Sequence, residues 1–168
     1  FWEIFYPTPI QVGPFGDGDW EDVLAPLTPL GLSIDSSGRK ELANWSGGVP
    51  VLAAAMLERL VDGARGGGVL SKAEVDRVAD SLVAHPPAPL AQLWDDCGFE
   101  LRGDIATMAA ESEGIPLSEL SESRRRALDR RGYGLASGNR MRSSCRLMAK
   151  SALLQAPAVA DLKRLFGT

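Results

Sequence analysis

Nine basic side chains between residues 117 and 150, against three acidic ones, form the densest chemical pattern in the sequence. Arginine and lysine neutralise phosphates, so such a cluster is typical of proteins that contact nucleic acid. The same side chains can instead dock on an acidic protein surface. The basic cluster consists of Arg124, Arg125, Arg126, Arg130, Arg131, Arg140, Arg142, Arg146 and Lys150. Our candidates for nucleic-acid or partner contact are Arg124, Arg125, Arg126, Arg130, Arg140 and Arg142.

Charge is divided unevenly along the chain. Residues 1–96 carry 6 basic and 14 acidic side chains, a balance of −8, whereas residues 117–150 have a balance of +6. The net charge of −4 hides this division. The acidic first part is therefore one candidate binding surface for the basic cluster, within the same molecule. DNA is the alternative binding partner.

A second candidate site is the stretch Trp45-Ser-Gly-Gly-Val-Pro50. Two glycines give backbone freedom, and Pro50 suits the first position of a helix, where no amide donor is needed. The stretch therefore predicts a sharp joint between two helices. The amino end of a helix preceded by bare glycine amides can also face an anion.

Self-contained catalysis is not expected. The single histidine, His85, lies in a proline-rich segment, which is a poor place for a catalytic base. The glycine-rich stretch 63–72 lacks the Gly-Lys-Ser/Thr ending of a phosphate-binding loop. Cys97 and Cys145 match no metal or redox spacing, and the pair Asp95-Asp96 is typical of a solvated helix end. We expect no catalytic residue, no metal and no cofactor in the isolated chain.

Several elements must position the basic cluster. The spacing of Leu101, Ile105 and Met108 predicts a helix over 101–111. A short apolar turn at 117–120, a basic helix over 121–131 and a final helix over 146–155 follow. Residues 133–135 and 140–143 flank Ala-Ser-Gly-Asn and predict a hairpin. This order predicts a winged-helix domain, a helix-turn-helix followed by a β-hairpin.

The first half predicts a small helical bundle. Its most hydrophobic helix, over 51–62, should lie at the centre. Further helices are expected near 19–27, 36–45 and 72–84. The proline-rich segment 85–89 is the predicted domain boundary.

The predicted organisation is mainly α. Residues 1–16 are a strand and linker from a preceding domain, 17–85 the helical bundle, and 88–168 the winged-helix domain with a C-terminal helix. Within the last range, short helices are expected over 90–96 and 160–166. The aromatic start, Phe1–Tyr6, lacks an initiator methionine and suggests a strand in a fragment of a larger protein.

Composition places the chain among ordinary globular proteins. It has 168 residues, of which 45% are hydrophobic and 24% charged. No apolar run approaches the roughly 20 residues of a membrane helix, and no signal peptide is recognisable. We therefore expect a cytoplasmic protein without a membrane partner.

The order of these features resembles the C-terminal half of STAND-type AAA+ ATPases, signalling proteins with a nucleotide-binding domain, a helical lid and a winged helix. The resemblance rests on Gly48-Val49-Pro50, on Val12-Gly13-Pro14-Phe15 before the helix near 19–27, and on Leu93-Trp94, Leu117–Leu120 and Arg131-Gly132. It implies that the 17–85 bundle is the lid and that Gly48 and Pro50 contact nucleotide from the lid side.

The chain departs from this family in two respects. It contains no Walker A lysine loop and no strand ending in paired acids, so ATP or ADP would belong to the parent protein. No histidine occurs between residues 101 and 154, so the family's phosphate-contacting histidine has no counterpart. The implied partners are the missing nucleotide-binding domain and an effector protein.

Two other interpretations stay open. One is a DNA-binding winged-helix module, either a transcription regulator or the DNA-engaging end of an ATPase. The other is a scaffold for oligomerisation or partner docking.

Overall fold

A computed structural model describes residues 13–64 and 67–155. These residues are mainly helical with two small β-sheets, which confirms the mainly α prediction. The predicted strand at 1–6 and the predicted helix at 160–166 lie outside the described residues. Within the described part of the chain, no helix combines the length and apolar character that crossing a membrane requires.

The first half begins with helix α1 (Asp19–Leu24), which continues into a 3-10 helix (Ala25–Leu30). Prolines in that second stretch remove amide donors, and Gly31, at a φ of 68°, ends it. Three longer helices follow: α2 (Ser36–Ser46), α3 (Pro50–Gly63) and α4 (Lys72–Ala84). Side chains cap two of them. Asp35 accepts from the Gly38 amide at 2.6 Å, and Ser71 and Glu74 form a capping box at the start of α4.

Two short strands in this half were not predicted. Strands β1 (Leu32–Ile34) and β2 (Gly68–Leu70) pair in parallel, with Ile34 opposite Leu70. The glycine-rich segment 63–68, predicted to be a loop throughout, therefore ends in the first residue of a strand. Strands of three residues are too short for an alternating pattern to reveal them.

The second half contains α5 (Ala88–Asp95), α6 (Gly98–Ala110), β3 (Ile115–Pro116) and a 3-10 turn (Leu117–Glu119). The chain continues through α7 (Glu122–Arg130), β4 (Gly134–Ser137), β5 (Arg140–Ser143) and α8 (Arg146–Gln155). The three strands form an antiparallel sheet in the order β3-β5-β4. Strand β3 was not predicted. Strand β4 also runs two residues further than expected, so the hairpin tip is Gly138-Asn139 alone.

One continuous hydrophobic core extends through both halves. Helix α8 packs on α6 and also on α2 and α4 of the first half. In the second half, Ile105, Met108, Leu128 and Met141 are all buried. Only residues 85–87 of the proline-rich segment lie outside helices, because α5 begins at Ala88. The division into 17–85 and 88–168 stays a prediction, although the core is shared across it.

Candidate functional site

The joint between α2 and α3 is built by backbone contacts. Gly47 and Gly48 both have positive φ, 62° and 71°, which favours glycine. The amide of Phe15 donates to the carbonyl of Gly48 at 2.7 Å. A side chain at Gly48 would meet the Phe15 backbone at 3.0 Å. The segment before α1 is therefore held against the amino end of α3, where Pro50 occupies the first turn.

Pro50 lines a cavity of about 200 Å³ between the two halves of the chain. The first half contributes Pro14, Val49 and Pro50, together with Gly13, and the second half contributes Leu93, Arg130, Arg131 and Tyr133. We call this the interdomain cavity. It brings the predicted lid-side contact Pro50 together with one predicted arginine, Arg130. Gly48 does not line it.

A close backbone approach forms one side of this junction. Gly132, at a φ of 68°, follows the end of α7. A methyl group on Gly132 would lie 2.7 Å from Cγ of Pro14 and 3.0 Å from Cγ2 of Val49. Only glycine lets the end of α7 approach the first half this closely.

Most of the predicted arginines are engaged elsewhere. Arg124 forms a double ion pair with the buried Asp104, through Nε at 2.8 Å and through Nη2. Arg125 donates to the carbonyl of Leu120 at 3.1 Å, and Arg126 pairs with Glu122 at 2.8 Å. These three side chains thus stabilise the second half internally.

The hairpin arginines are also engaged. Nε of Arg140 donates to the carbonyl of Glu113 at 2.8 Å, and Arg142 lies 3.8 Å from the Glu113 carboxylate. Both tie the hairpin to the loop after α6. The predicted candidates therefore do not form one continuous free basic face.

Two further members of the basic cluster contact the first half around Trp45. The guanidinium of Arg146 lies 4.3 Å from the centre of the Trp45 ring, and Nζ of Lys150 lies 4.7 Å from it. Arg146 also pairs with the buried Glu41 at 2.6 Å, and Lys150 with Asp80 at 2.8 Å. We call these five residues the tryptophan clamp. Here the basic second half does dock on the acidic first half.

Further hydrogen bonds and ion pairs surround the tryptophan clamp and keep its charged neighbours ionised. The indole of Trp45 donates to Asp76 at 2.7 Å, and Lys72 reaches both Asp76 at 2.9 Å and Glu41 at 3.1 Å. The pKa of Asp76 is lowered chiefly by the hydrogen bond that Lys72 donates to it. The hydrogen bond from the Trp45 indole lowers this pKa further. Asp76 therefore stays ionised and keeps its partners at neutral pH.

No protein-family model, curated protein or solved structure matches the chain. The functional interpretation therefore rests on the geometry of the site.

Both cysteine thiols are buried. Burial raises the pKa of the Cys145 thiol to about 12 and also raises that of Cys97, so neither is a ready nucleophile. Across residues 13–64 and 67–155, no three His, Cys, Asp or Glu side chains are grouped to hold a metal ion. The interdomain cavity is lined by apolar residues and by Arg130 and Arg131, and such a lining suits a ligand that has both an apolar part and an anionic part.

Sequence reasoning counted Arg131 in the basic cluster but did not select it as a site residue. It also did not place Tyr133 or Leu93 in any site. The position of Arg131 directly before Gly132 was the available signal, since a glycine that ends a helix often allows close packing at that point.

Proposed function

We propose that this chain is a non-catalytic, regulatory region of a STAND-like AAA+ ATPase, composed of a helical lid and a winged-helix domain. In this proposal a separate nucleotide-binding domain supplies the Walker motifs. ATP or ADP bound to that domain contacts Pro50 from the lid side, and the buried Gly48 shapes the joint that positions Pro50. The chain couples nucleotide state to its own position and to the binding of an effector protein.

The order of elements in the second half supports the winged-helix part of the proposal. A helix, α6, is followed by the short strand β3, a helical turn, the basic helix α7 and the hairpin β4–β5. The sheet order β3-β5-β4 places the hairpin beside the strand that follows α6. Leu128 of α7 and Met141 of β5 share the buried core with Ile105.

The interdomain cavity is the observation that carries the functional proposal. Pro50 and Val49 form its lid wall, and Arg130 and Arg131 face it from the opposite half. A ligand at this position contacts both halves at once. Binding or release of this ligand can therefore shift the preferred position of both halves relative to a nucleotide-binding domain.

The tryptophan clamp supports movement of lid and winged helix as one body. Its ion pairs and cation–π contacts join α2 and α4 to α8, and the core continues beneath them. Separating the halves would expose Trp45 and leave Glu41 without Arg146. The conformational change is therefore expected between this unit and the nucleotide-binding domain.

Calorimetry with ATP or ADP tests whether nucleotide binding depends on the separate nucleotide-binding domain, with this chain supplying only a lid-side contact. Because the cavity volume of about 200 Å³ is below the 300 Å³ or so that marks the small end of ligand sites, the chain alone should not bind either nucleotide at micromolar concentration. Micromolar binding by the isolated chain would contradict the proposal.

The second arm of this test uses a longer protein in which this chain is joined to the proposed nucleotide-binding domain. There Pro50→Ala should weaken nucleotide binding several-fold, since it removes an apolar wall. Pro86→Ala, in the exposed segment between α4 and α5, is the matched control and should leave binding unchanged. Equal effects of the two variants would remove Pro50 from the proposed site.

Duplex DNA binding is the second candidate, favoured by the exposure of α7. The side chains of Arg126 and Arg125 are 66% and 38% exposed, and Arg130 is also exposed. Replacing Arg125, Arg126 and Arg130 with glutamine should weaken binding and reduce its salt dependence. A mobility-shift assay at low salt that detects no complex would eliminate this candidate.

A further inference from the structure

Strand β1 pairs with β2 along one edge only. At its start, the amide of Gly68 donates to the carbonyl of Gly31 at 3.0 Å. At its end, the amide of Asp35 donates to the carbonyl of Leu70 at 3.2 Å. In a parallel ladder, residues that turn their amide and carbonyl toward the neighbouring strand alternate with residues that turn them away. The register between these two bonds therefore turns both backbone groups of Ser33 toward β2.

The residues on either side of Ser33 turn their backbone groups the other way. The amides and carbonyls of Leu32 and Ile34 therefore form the outer edge of β1. Among residues 13–64 and 67–155, none of these four groups has a hydrogen-bond partner. A row of unpaired backbone donors and acceptors is a template on which another strand can pair.

This outer edge opens on a groove of about 300 Å³, which we call the edge groove. All three residues of β1 line it, and none of the described β2 residues does, so it lies on the unpaired side of the strand. Its opposite wall belongs to α1 and the 3-10 helix that follows, with Leu24 and Leu27 among its residues. None of the residues that line the edge groove lines the interdomain cavity, so the two sites are separate.

The charge around the edge groove is negative. Residues 13–38 carry five carboxylates and no basic side chain. Glu21 lines the groove and has no cation within ion-pair distance among the described residues. Arg39 also lines it, but its guanidinium donates to the carbonyl of Asp17 at 2.9 Å. A second copy of this chain would bring the same carboxylates to the groove and be repelled, whereas a basic segment would be attracted.

The two faces of the sheet differ in what they offer an added strand. Successive side chains of a strand point to opposite faces. One face carries Leu32 and Ile34, which pack in the hydrophobic core with Leu27. The other face carries the exposed Ser33. The groove therefore suits a strand with apolar side chains at every second position and basic side chains between them.

We infer that the outer edge of β1 binds an extended, basic segment of a partner protein by strand addition. Leu32 and Ile34 supply the backbone hydrogen bonds, and Glu21 contacts a lysine or arginine of the added strand. This inference goes beyond the proposed function, because it identifies a protein-binding surface in the first half that requires no nucleotide.

The test is an NMR titration of the 168-residue chain with the synthetic peptide acetyl-Lys-Val-Lys-Val-Lys-Val-Lys-amide. The amide signals of Leu32 and Ile34 should shift saturably, and their exchange with deuterium should slow. The same peptide with every backbone amide N-methylated cannot donate hydrogen bonds and should not bind. A version with glutamate in place of lysine should bind about tenfold more weakly or less. Equal binding by either control peptide would overturn the inference.

A proline substitution tests the backbone contact. Ile34→Pro removes one donor from the outer edge and leaves the bonds to β2 intact, since that amide points away from β2. It should weaken binding of the lysine peptide about tenfold. Ile34→Ala is the matched control, because it trims the side chain but keeps the amide, and it should retain most of the affinity. Equal weakening by the two variants would contradict strand addition.

A charge reversal keeps the test informative if Ile34→Pro unfolds the chain. Glu21→Lys should weaken binding of the lysine peptide about fivefold. Glu58→Lys makes the same change at an exposed residue of α3 outside the groove, and it should leave binding unchanged. Equal effects would mean that the peptide responds only to net charge, which overturns the inference.

Sedimentation of the peptide-free chain tests the competing occupant, a second copy. A monomer is expected, because the carboxylates around the groove repel each other. A dimer that Glu21→Lys strengthens and Ile34→Pro dissociates would assign the edge to self-association and overturn the inference.

Discussion

The two halves of the chain meet at the tryptophan clamp and at the interdomain cavity, and the two contacts are built differently. In the clamp, each cation has a carboxylate partner and an aromatic face. In the cavity, two adjacent cations have no acidic partner within the described residues. A contact in which every cation is paired holds the two halves together. A contact that leaves cations without acidic partners beside apolar walls is better suited to binding a ligand. The basic cluster therefore divides into cations paired with carboxylates or carbonyls and two cations, Arg130 and Arg131, that line the cavity without an acidic partner among the described residues.

The largest expected effect is the loss of the clamp's aromatic ring. Trp45 is 1% exposed, so Trp45→Ala should lower the free energy of unfolding by about 3–5 kcal/mol. Denaturant unfolding measures it. Trp45→Phe keeps most of the packing and loses the hydrogen bond to Asp76, and should cost about 1–2 kcal/mol. Similar losses in both variants would mean that the ring's packing contributes little.

Next in size is the backbone contact between the halves. A methyl group on Gly47 would lie 2.8 Å from both Cβ of Cys145 and the carbonyl oxygen of Gly132. Gly47→Ala should cost about 3 kcal/mol, from positive φ and from this overlap. Gly138→Ala is the matched control, since Gly138 has a φ of 62° and nothing within 4 Å of an added methyl group. It should cost about 1 kcal/mol. Equal losses of unfolding free energy in Gly47→Ala and Gly138→Ala would show that the backbone around Gly47 shifts easily to accommodate the added methyl group.

A smaller effect depends on pH. Because Lys72 and Trp45 lower the pKa of Asp76 in the folded chain, its ionised form stabilises the fold above the unfolded pKa of about 3.9. That contribution is lost as pH falls through the lower folded pKa. Unfolding free energies of wild type and Asp76→Asn should therefore differ at pH 7 and converge in acid. A constant difference down to about pH 2 would contradict this linkage.

The smallest effect is expected at the cavity. Since no carboxylate of the described residues lies within ion-pair distance of Arg130 or Arg131, the double substitution R130Q/R131Q should alter stability by less than about 0.5 kcal/mol. Arg124→Gln, which leaves the buried Asp104 without its ion-pair partner, should cost about 1–3 kcal/mol. Thermal unfolding of both variants checks this difference. A large loss in R130Q/R131Q would make the cavity a second structural junction.

The longer helices were predictable from periodicity and capping. The spacing of Leu101, Ile105 and Met108 indicated α6, and Ser121 accepts from the amide of Arg124 where α7 begins. The hairpin was recognisable from its turn residues. These signals are local, so the sequence carries them directly.

What could not be predicted depends on contacts between distant residues. Leu32–Ile34 form a strand only because Gly68–Leu70 pair with them. Likewise, Arg126 and Arg130 are the same residue type on one helix. The pairing of Arg126 with Glu122, four residues earlier on the same helix, is local and follows from helical spacing. The approach of Pro14 and Pro50 to the cavity beside Arg130 joins residues far apart in the sequence, and no composition or spacing rule contains it.

The path of α8 has a practical consequence for dissecting the chain. Residues 85–87 connect the halves covalently, but α8 lies against α2 and α4 as well as α6. Proteolytic cleavage at this exposed segment should leave two pieces that co-purify. Either piece expressed alone would present Trp45 or Cys145 to water and aggregate. Truncations should therefore keep residues 13–155 together, and the halves should be produced separately only by co-expression.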